Sequence, residues 1–165
     1  MSAQDRCRGL DEHLRHWTPF EPGLVKWLQE QSDLEPCIAD ALRAASAAED
    51  WNTFERYLIA AAQHPSPAYT KTLCAVLEQR RHDVNSEAIV DALDPIADPE
   101  AVECLSRATR WVPDWDEFGQ LARKAVWALG RTTEAMHAIR EVPADAPDKV
   151  RDAAANALGR AGAAG

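Results

Sequence analysis

Long apolar runs are missing from this chain. No stretch of its 165 residues carries the roughly 20 consecutive apolar positions of a membrane-spanning helix. The opening MSAQDRCRGLDEHLRHW holds no apolar core of export-signal length. A cytoplasmic protein is the expectation. Alternating runs rich in β-branched residues are missing too, as are Asn-Gly and Asp-Gly dipeptides, which removes the usual strand and hairpin signals. There is no Cys-x-x-Cys pair. Cys7, Cys37, Cys74 and Cys104 stand far apart and read as reduced, buried thiols rather than zinc ligands or a disulfide framework. Catalytic vocabulary is equally thin: no Gly-rich phosphate loop, no Gly-x-Ser-x-Gly elbow and no His-Glu-x-x-His run. The five histidines are scattered. His13 and His16 share a helix face with Cys7 upstream, but a metal site there lacks further ligands, so neither metal nor cofactor is expected.

Positive charge is scarce in one place. Residues 83–117 hold ten acids (Asp83, Glu87, Asp91, Asp94, Asp98, Glu100, Glu103, Asp114, Asp116, Glu117) against Arg107 and Arg110 alone, a net −8. The whole chain carries −9, so the remainder is nearly balanced. A phosphate backbone would be repelled there, which speaks against nucleic acid. Two readings stay open: solvated helix faces, or a field that steers a basic partner protein.

What is present is helical. The composition, 46% apolar and 27% charged, suits one folded domain with a continuous core. Apolar residues recur at helical spacing in Leu24, Trp27 and Leu28, in Ile38, Ala41 and Leu42, and in Phe54, Tyr57, Leu58 and Ala61. Pro22, Pro36, Pro67, Pro99, Pro113 and Pro147 punctuate starts and gaps. Ser66-Pro67 and Asp98-Pro99 each place a cap residue before a proline in the first helical position. The class is all-α.

The chain also resembles itself. SPAYTKTL from Ser66 matches DPEAVECL from Asp98, and EAVECL from Glu100 matches EAMHAI from Glu134. The preceding helix recurs as AIVDAL, KAVWAL and DAAANAL. A helix pair that returns about every 29–36 residues cannot bury its apolar stripe alone and stacks on its neighbours.

These residues resemble a known family. ARKAVWALGRTTEAMHAI, VRDAAANALGRAG and DALDPIADPEAVECL look like the HEAT-like repeat, in the short form of phycobilisome-lyase-type proteins. The resemblance covers residues 50–165 and implies a right-handed α-solenoid, with residues 1–49 as an atypical helical cap of a single domain. Asp94 stands where the family has glycine, and the turn between Leu129 and Glu134 is two residues short. Family enzymes do not match. The iron-dependent hydroxylases carry His-Glu pairs, absent here, and the DNA glycosylases have a basic concave face where this chain is acidic. Bilin lyases leave no signature to check.

The resemblance places docking surfaces on the second helices of successive pairs. There Lys71, Glu103 and His137 form one row, Ala75, Arg107 and Glu141 another, and Glu78, Arg110 and Ala144 a third. Of the six tryptophans, Trp27, Trp51 and Trp127 fall on or beside apolar stripes and are expected in the core, as is Phe118. Trp17 precedes TPFEP, a place suited to an N-terminal cap. RWVPDWDEF, Arg110–Phe118, is different: a lengthened connection in which Trp111 and Trp115 flank Pro113 among Asp114, Asp116 and Glu117. The tryptophans are either plugs of a structural corner or anchors of a binding edge, and the acids either its rim or caps of the next helix. The reading is a non-enzymatic protein-binding module. Its candidate contacts are Trp111, Asp114, Trp115, Asp116, Glu117, Glu103, Arg107, Arg110 and His137. Its most concrete form is an acidic immunity- or inhibitor-type protein masking a basic effector. The alternative is a lyase- or chaperone-type helper of a cofactor-bearing partner.

Overall fold

The computed structural model describes residues 3–16, 22–116 and 118–163. All regular structure among them is helical, as the periodicity predicts. α1 (Ala3–His16), α2 (Pro22–Glu30) and α3 (Glu35–Ala47) lead into α4 (Trp51–Gln63), α5 (Thr70–Leu77), α6 (Ser86–Ile96) and α7 (Val102–Ala108), followed by α8 (Gln120–Leu129), α9 (Met136–Arg140) and α10 (Asp148–Ala163). Local chemistry sets the boundaries. Pro22 opens α2, Pro36 is the second residue of α3, and Pro147 immediately precedes α10. The side chains of Asp50 and Asn85 accept the backbone N–H groups of Thr53 at 3.1 Å and Ala88 at 3.0 Å, capping α4 and α6.

The internal repeat of the sequence is a repeat of local structure. α5, α7 and α9 are each entered through a 3-10 turn, at Pro67–Tyr69, Pro99–Ala101 and Thr133–Ala135. Ser66 and Asp98 cap the first two, accepting the N–H of Ala68 at 3.2 Å and of Glu100 at 3.0 Å. The same residues tie one helix pair to the last: Ser66 donates to Glu35, and Thr70 donates to Asp98 at 2.7 Å.

α4, α6, α8 and α10 pack side by side in chain order, and α3, α5, α7 and α9 form a second such row against them. The core lies between the rows. Phe54, Leu58, Leu73, Ile89, Leu93, Leu121, Val126, Leu129, Ile139 and Val150 are buried in one cluster, with Ala60, Ala61, Ala92, Ala122 and Ala125 between the helices. Small side chains at these contacts let helix axes come close. At the N-terminal end, His64 Nε2 lies 2.8 Å from the Leu28 carbonyl and 3.1 Å from that of Gln31. Both partners are acceptors, so Nε2 carries the proton and ties α4 to the end of α2.

Three expectations are corrected. The cysteines are not reduced thiols: Cys7 pairs with Cys37, and Cys74 with Cys104. Each pair is 30 residues apart, which puts its members on neighbouring helices, α1 with α3 and α5 with α7, at Cα separations of 5.2 and 5.7 Å. Distance along the chain became adjacency across it, within disulfide reach. The pairing also takes Cys7 away from His13 and His16. Phe118 is not core. It is 58% exposed, because Gly119 turns the chain with φ +63° and the buried stripe of α8 begins at Leu121. Trp127 is 45% exposed: Ala125, Val126, Ala128 and Leu129 all point inward, which leaves position 127 on the outer phase of α8. Trp27 and Trp51 are half-buried against the core, Trp27 edge-on to His13 at 4.2 Å. Trp17 lies outside the described residues.

Candidate functional site

The connection between α7 and α8 is pinned from beneath. Pro113 is buried, and the Asp116 N–H donates to its carbonyl at 2.8 Å. Asp116 is itself buried, and its two carboxylate oxygens accept the N–H groups of Gln120 at 2.7 Å and Leu121 at 2.9 Å. A single side chain thus satisfies two otherwise unpaired donors of the first turn of α8. Gly119 is obligatory for a second reason besides its φ: a Cβ there would sit 3.0 Å from Val150 Cγ2 and 3.2 Å from Pro147 Cγ.

With Pro113, Asp116 and Gly119 facing in, Val112, Asp114, Trp115 and Phe118 face out. Val112 is 44% exposed and Trp115 48%, and with Phe118 they supply three of the four large exposed apolar side chains among the described residues. Their backbone is held on both sides, so they form a pre-organised apolar edge rather than a loose loop. Asp114 is exposed beside them and in no ion pair among the described residues. Glu117 lies outside the described residues. Trp111 differs from Trp115: it is half-buried against the core.

The neighbouring α5–α6 connection completes the site. The Arg80 guanidinium sits 5.5 Å from the centre of the Trp111 ring, and Lys149 of α10 sits 5.3 Å from that of Phe118. Both distances suit cation–π attraction. Arg80 holds a left-handed φ of 51° just past α5, where glycine or asparagine is the usual occupant. Trp111 shares a depression with Leu77, Glu78 and Arg80, while Trp115 shares another with His82, Asp83 and Asn85. The two tryptophans therefore meet successive parts of the α5–α6 connection.

The other predicted contacts are brought together in pairs, largely with one another. Arg107 bonds Glu78 and Glu103, and those carboxylates hold its pKa above the ordinary guanidinium value. Arg110 meets Glu141 at 3.3 Å. Exposed His137 donates through Nδ1 to the Glu134 carbonyl at 2.8 Å, and with Glu103 and Glu141 it borders a depression between α7 and α9.

Five of the ten acids of the window, Asp83, Glu87, Asp91, Asp94 and Glu103, stand in ion pairs within the fold. Asp83 pairs with Arg81 at 2.8 Å, Asp94 with Arg131 at 2.8 Å, and Lys124 takes both Asp91 at 2.7 Å and Glu87 at 3.1 Å. Burial works against the Lys124 ammonium, but the hydrogen bonds it donates to Asp91 and Glu87 outweigh it and leave its pKa raised. Asp98 and Asp116 are caps, which removes Asp116 from any steering rim. Glu100 and Asp114 remain exposed and outside any ion pair.

Sequence reasoning missed Val112, Phe118, Arg80 and Lys149. For the first two the signal was Gly119, whose turn shifts the helix start; the two cations are brought in by neighbouring elements. Among the described residues no group of three or more His, Cys, Asp or Glu side chains is placed to hold a metal ion. Comparison with protein-family models finds no match, and comparison with curated proteins finds no significant relative.

Proposed function

We propose that this chain is a non-enzymatic protein-binding module that docks a partner along the 111–118 edge. The observation that carries this reading is the concentration of exposed Val112, Trp115 and Phe118 on one connection pinned by Pro113, Asp116 and Gly119. A rigid aromatic anchor loses little conformational freedom on binding, which is why such residues dominate binding hot spots. The scaffold we propose is a right-handed solenoid of HEAT-like pairs. Its support is the two rows of helices packed in chain order, the recurring capped turns before α5 and α7, and the sequence resemblance.

An acidic inhibitor of a basic effector is the more specific form. It draws on the net charge of −9 and on the window of ten acids, five of which stand in ion pairs within the chain. Two disulfides favour an oxidising compartment over a reducing cytoplasm.

The test is a double replacement, Trp115→Ala with Phe118→Ala, applied to a partner captured by the wild-type protein. Binding should weaken by at least ~2 kcal/mol while the melting temperature stays nearly unchanged. A partner held equally well by the double variant would refute the edge as the docking surface.

A further inference from the structure

Most aromatic rings at the surface of this chain already hold a cation from within it. Trp51, Trp111 and Trp127 lie against the guanidinium groups of Arg81, Arg80 and Arg123 at 4.8, 5.5 and 5.1 Å, and Phe118 against the Lys149 ammonium at 5.3 Å. Trp115 is the exception. Its ring is 48% exposed and has no cation set over it among the described residues. Its surroundings supply the opposite charge. Trp115 borders a depression of about 370 Å³ together with Glu55 of α4 and with His82, Asp83 and Asn85 of the α5–α6 connection. No lysine or arginine lines it. Glu55 is held in place there, because its Oε1 accepts the Asn85 N–H at 2.9 Å, and its charge is in no ion pair among the described residues. Asp83 pairs with Arg81 at 2.8 Å, but Arg81 also meets Glu49 at 3.6 Å, so one guanidinium is divided between two carboxylates. The next cation along α4, Arg56, is taken up by the Asn52 carbonyl and the Thr53 hydroxyl.

We infer that this depression receives a basic side chain of the partner protein, a lysine or arginine, shared between the Trp115 ring and the Glu55 and Asp83 carboxylates. The inference rests on the 111–118 edge being the docking surface, and it adds the chemistry at the point of contact. An indole face attracts a cation, and more strongly once water is excluded. A carboxylate fixed by a backbone N–H is a ready acceptor for a charge-assisted hydrogen bond. Both features select the same occupant. An acidic side chain would meet like charge from Glu55 and Asp83, and an apolar one would cover those carboxylates without pairing them. Phe118 and Trp127, the other large exposed aromatic side chains among the described residues, already carry Lys149 and Arg123. Trp115 is therefore the ring at which a cation from outside meets no competitor from within.

The experiment uses the full chain, labelled with nitrogen-15, at low ionic strength, with three capped peptides of the form acetyl-Gly-Gly-X-Gly-Gly-amide. X is arginine, glutamate, or citrulline, which keeps the shape of arginine and removes its charge. The Trp115 indole N–H is assigned through Trp115→Phe. The arginine peptide should shift that resonance and bind at least ~5-fold more tightly than either of the others. Glu55→Gln keeps an acceptor for the Asn85 N–H and removes the charge. It should erase most of the arginine preference with the circular dichroism spectrum and melting temperature unchanged. Should that variant melt lower, salt decides on the wild-type chain: the preference must shrink as ionic strength rises. Equal affinities for arginine and citrulline, a preference for glutamate, an unchanged preference in Glu55→Gln, or one indifferent to salt would each overturn the proposal. So would silence of the Trp115 resonance with the arginine peptide up to about 5 mM, the weak end of specific binding. The edge itself is read separately. If the Trp115 and Phe118 double replacement releases a captured partner while Glu55→Gln leaves its affinity unchanged, the edge stands and the pocket assignment falls.

Discussion

Replacing Asp116 with alanine removes both oxygens that receive the Gln120 and Leu121 N–H groups at 2.7 and 2.9 Å. Leu121 is fully buried, so water cannot take over its donor. An unsatisfied buried donor costs about 1–3 kcal/mol, and loss of a helix cap typically about 1. The two terms overlap, and we expect Asp116→Ala to lower unfolding stability by about 2–3 kcal/mol. For a chain of this size that is a fall in melting temperature of roughly 4–12 °C. Asp116→Asn keeps one acceptor oxygen and should lose about half as much. Asp114→Ala is the control: exposed and in no ion pair, it should change stability by less than ~0.5 kcal/mol. Urea and thermal denaturation of the three variants decide the matter. Equal losses for Asp116→Ala and Asp114→Ala would refute the claim that Asp116 pins the connection, and with it the pre-organisation of the edge.

Tyr69 is fully buried, and its hydroxyl has no hydrogen-bond partner among the described residues. Burial, then the charge of Glu35, raises its pKa, so the folded chain keeps a proton that the unfolded chain gives up near pH ~10. Its stabilising contribution is present below that pH and is lost as pH rises above it. Tyr69→Phe should flatten the alkaline limb of the urea midpoint against pH and leave neutral stability nearly unchanged; an unaltered limb would refute this. Thiol titration of the unfolded, unreduced protein should find none of the four cysteines free. Replacing Cys74 and Cys104 together with serine should cost roughly 2–4 kcal/mol, from the 30-residue loop they close, and a smaller loss than ~1 kcal/mol would count against the clamp.

The fold class was legible because helices announce themselves locally. Spacing of apolar residues, cap residues before prolines and the recurrence of SPAYTKTL as DPEAVECL each survive as a structural unit. Side-chain direction in the α7–α8 connection was not legible. Trp111, Trp115 and Phe118 look alike in a string, and their fates are set by Pro113, Asp116 and Gly119, which decide which side of the chain faces the core. The sequence did offer both readings of the acids there. For Asp116 the capping one is correct, since an acid four residues before a helical N–H can reach it only once the turn at Gly119 is made.

The cysteines were misread, and the ion pairs of the acidic window went unseen, for one common reason. In a stacked helical array the relevant neighbour of a residue lies one helix pair away, about 30 positions along the chain. Lys124 answers Asp91 and Glu87, Arg131 answers Asp94, and Arg107 answers Glu78, each from 29 to 37 positions away. Cys7 with Cys37 and Cys74 with Cys104 obey the same spacing. A sliding window counts charge along the chain and so sees a block of one sign, whereas the surface a partner meets is the sum across helices. That sum still carries the net charge of −9, and the exposed edge holds Asp114, in no ion pair among the described residues, as well as Arg80 and Lys149, each set over an aromatic ring. Long-range attraction follows the net charge of the chain, but it is screened within about 10 Å at ordinary salt. Contact chemistry follows the unmatched groups. The two need not share a sign, and at this edge the unmatched groups carry both.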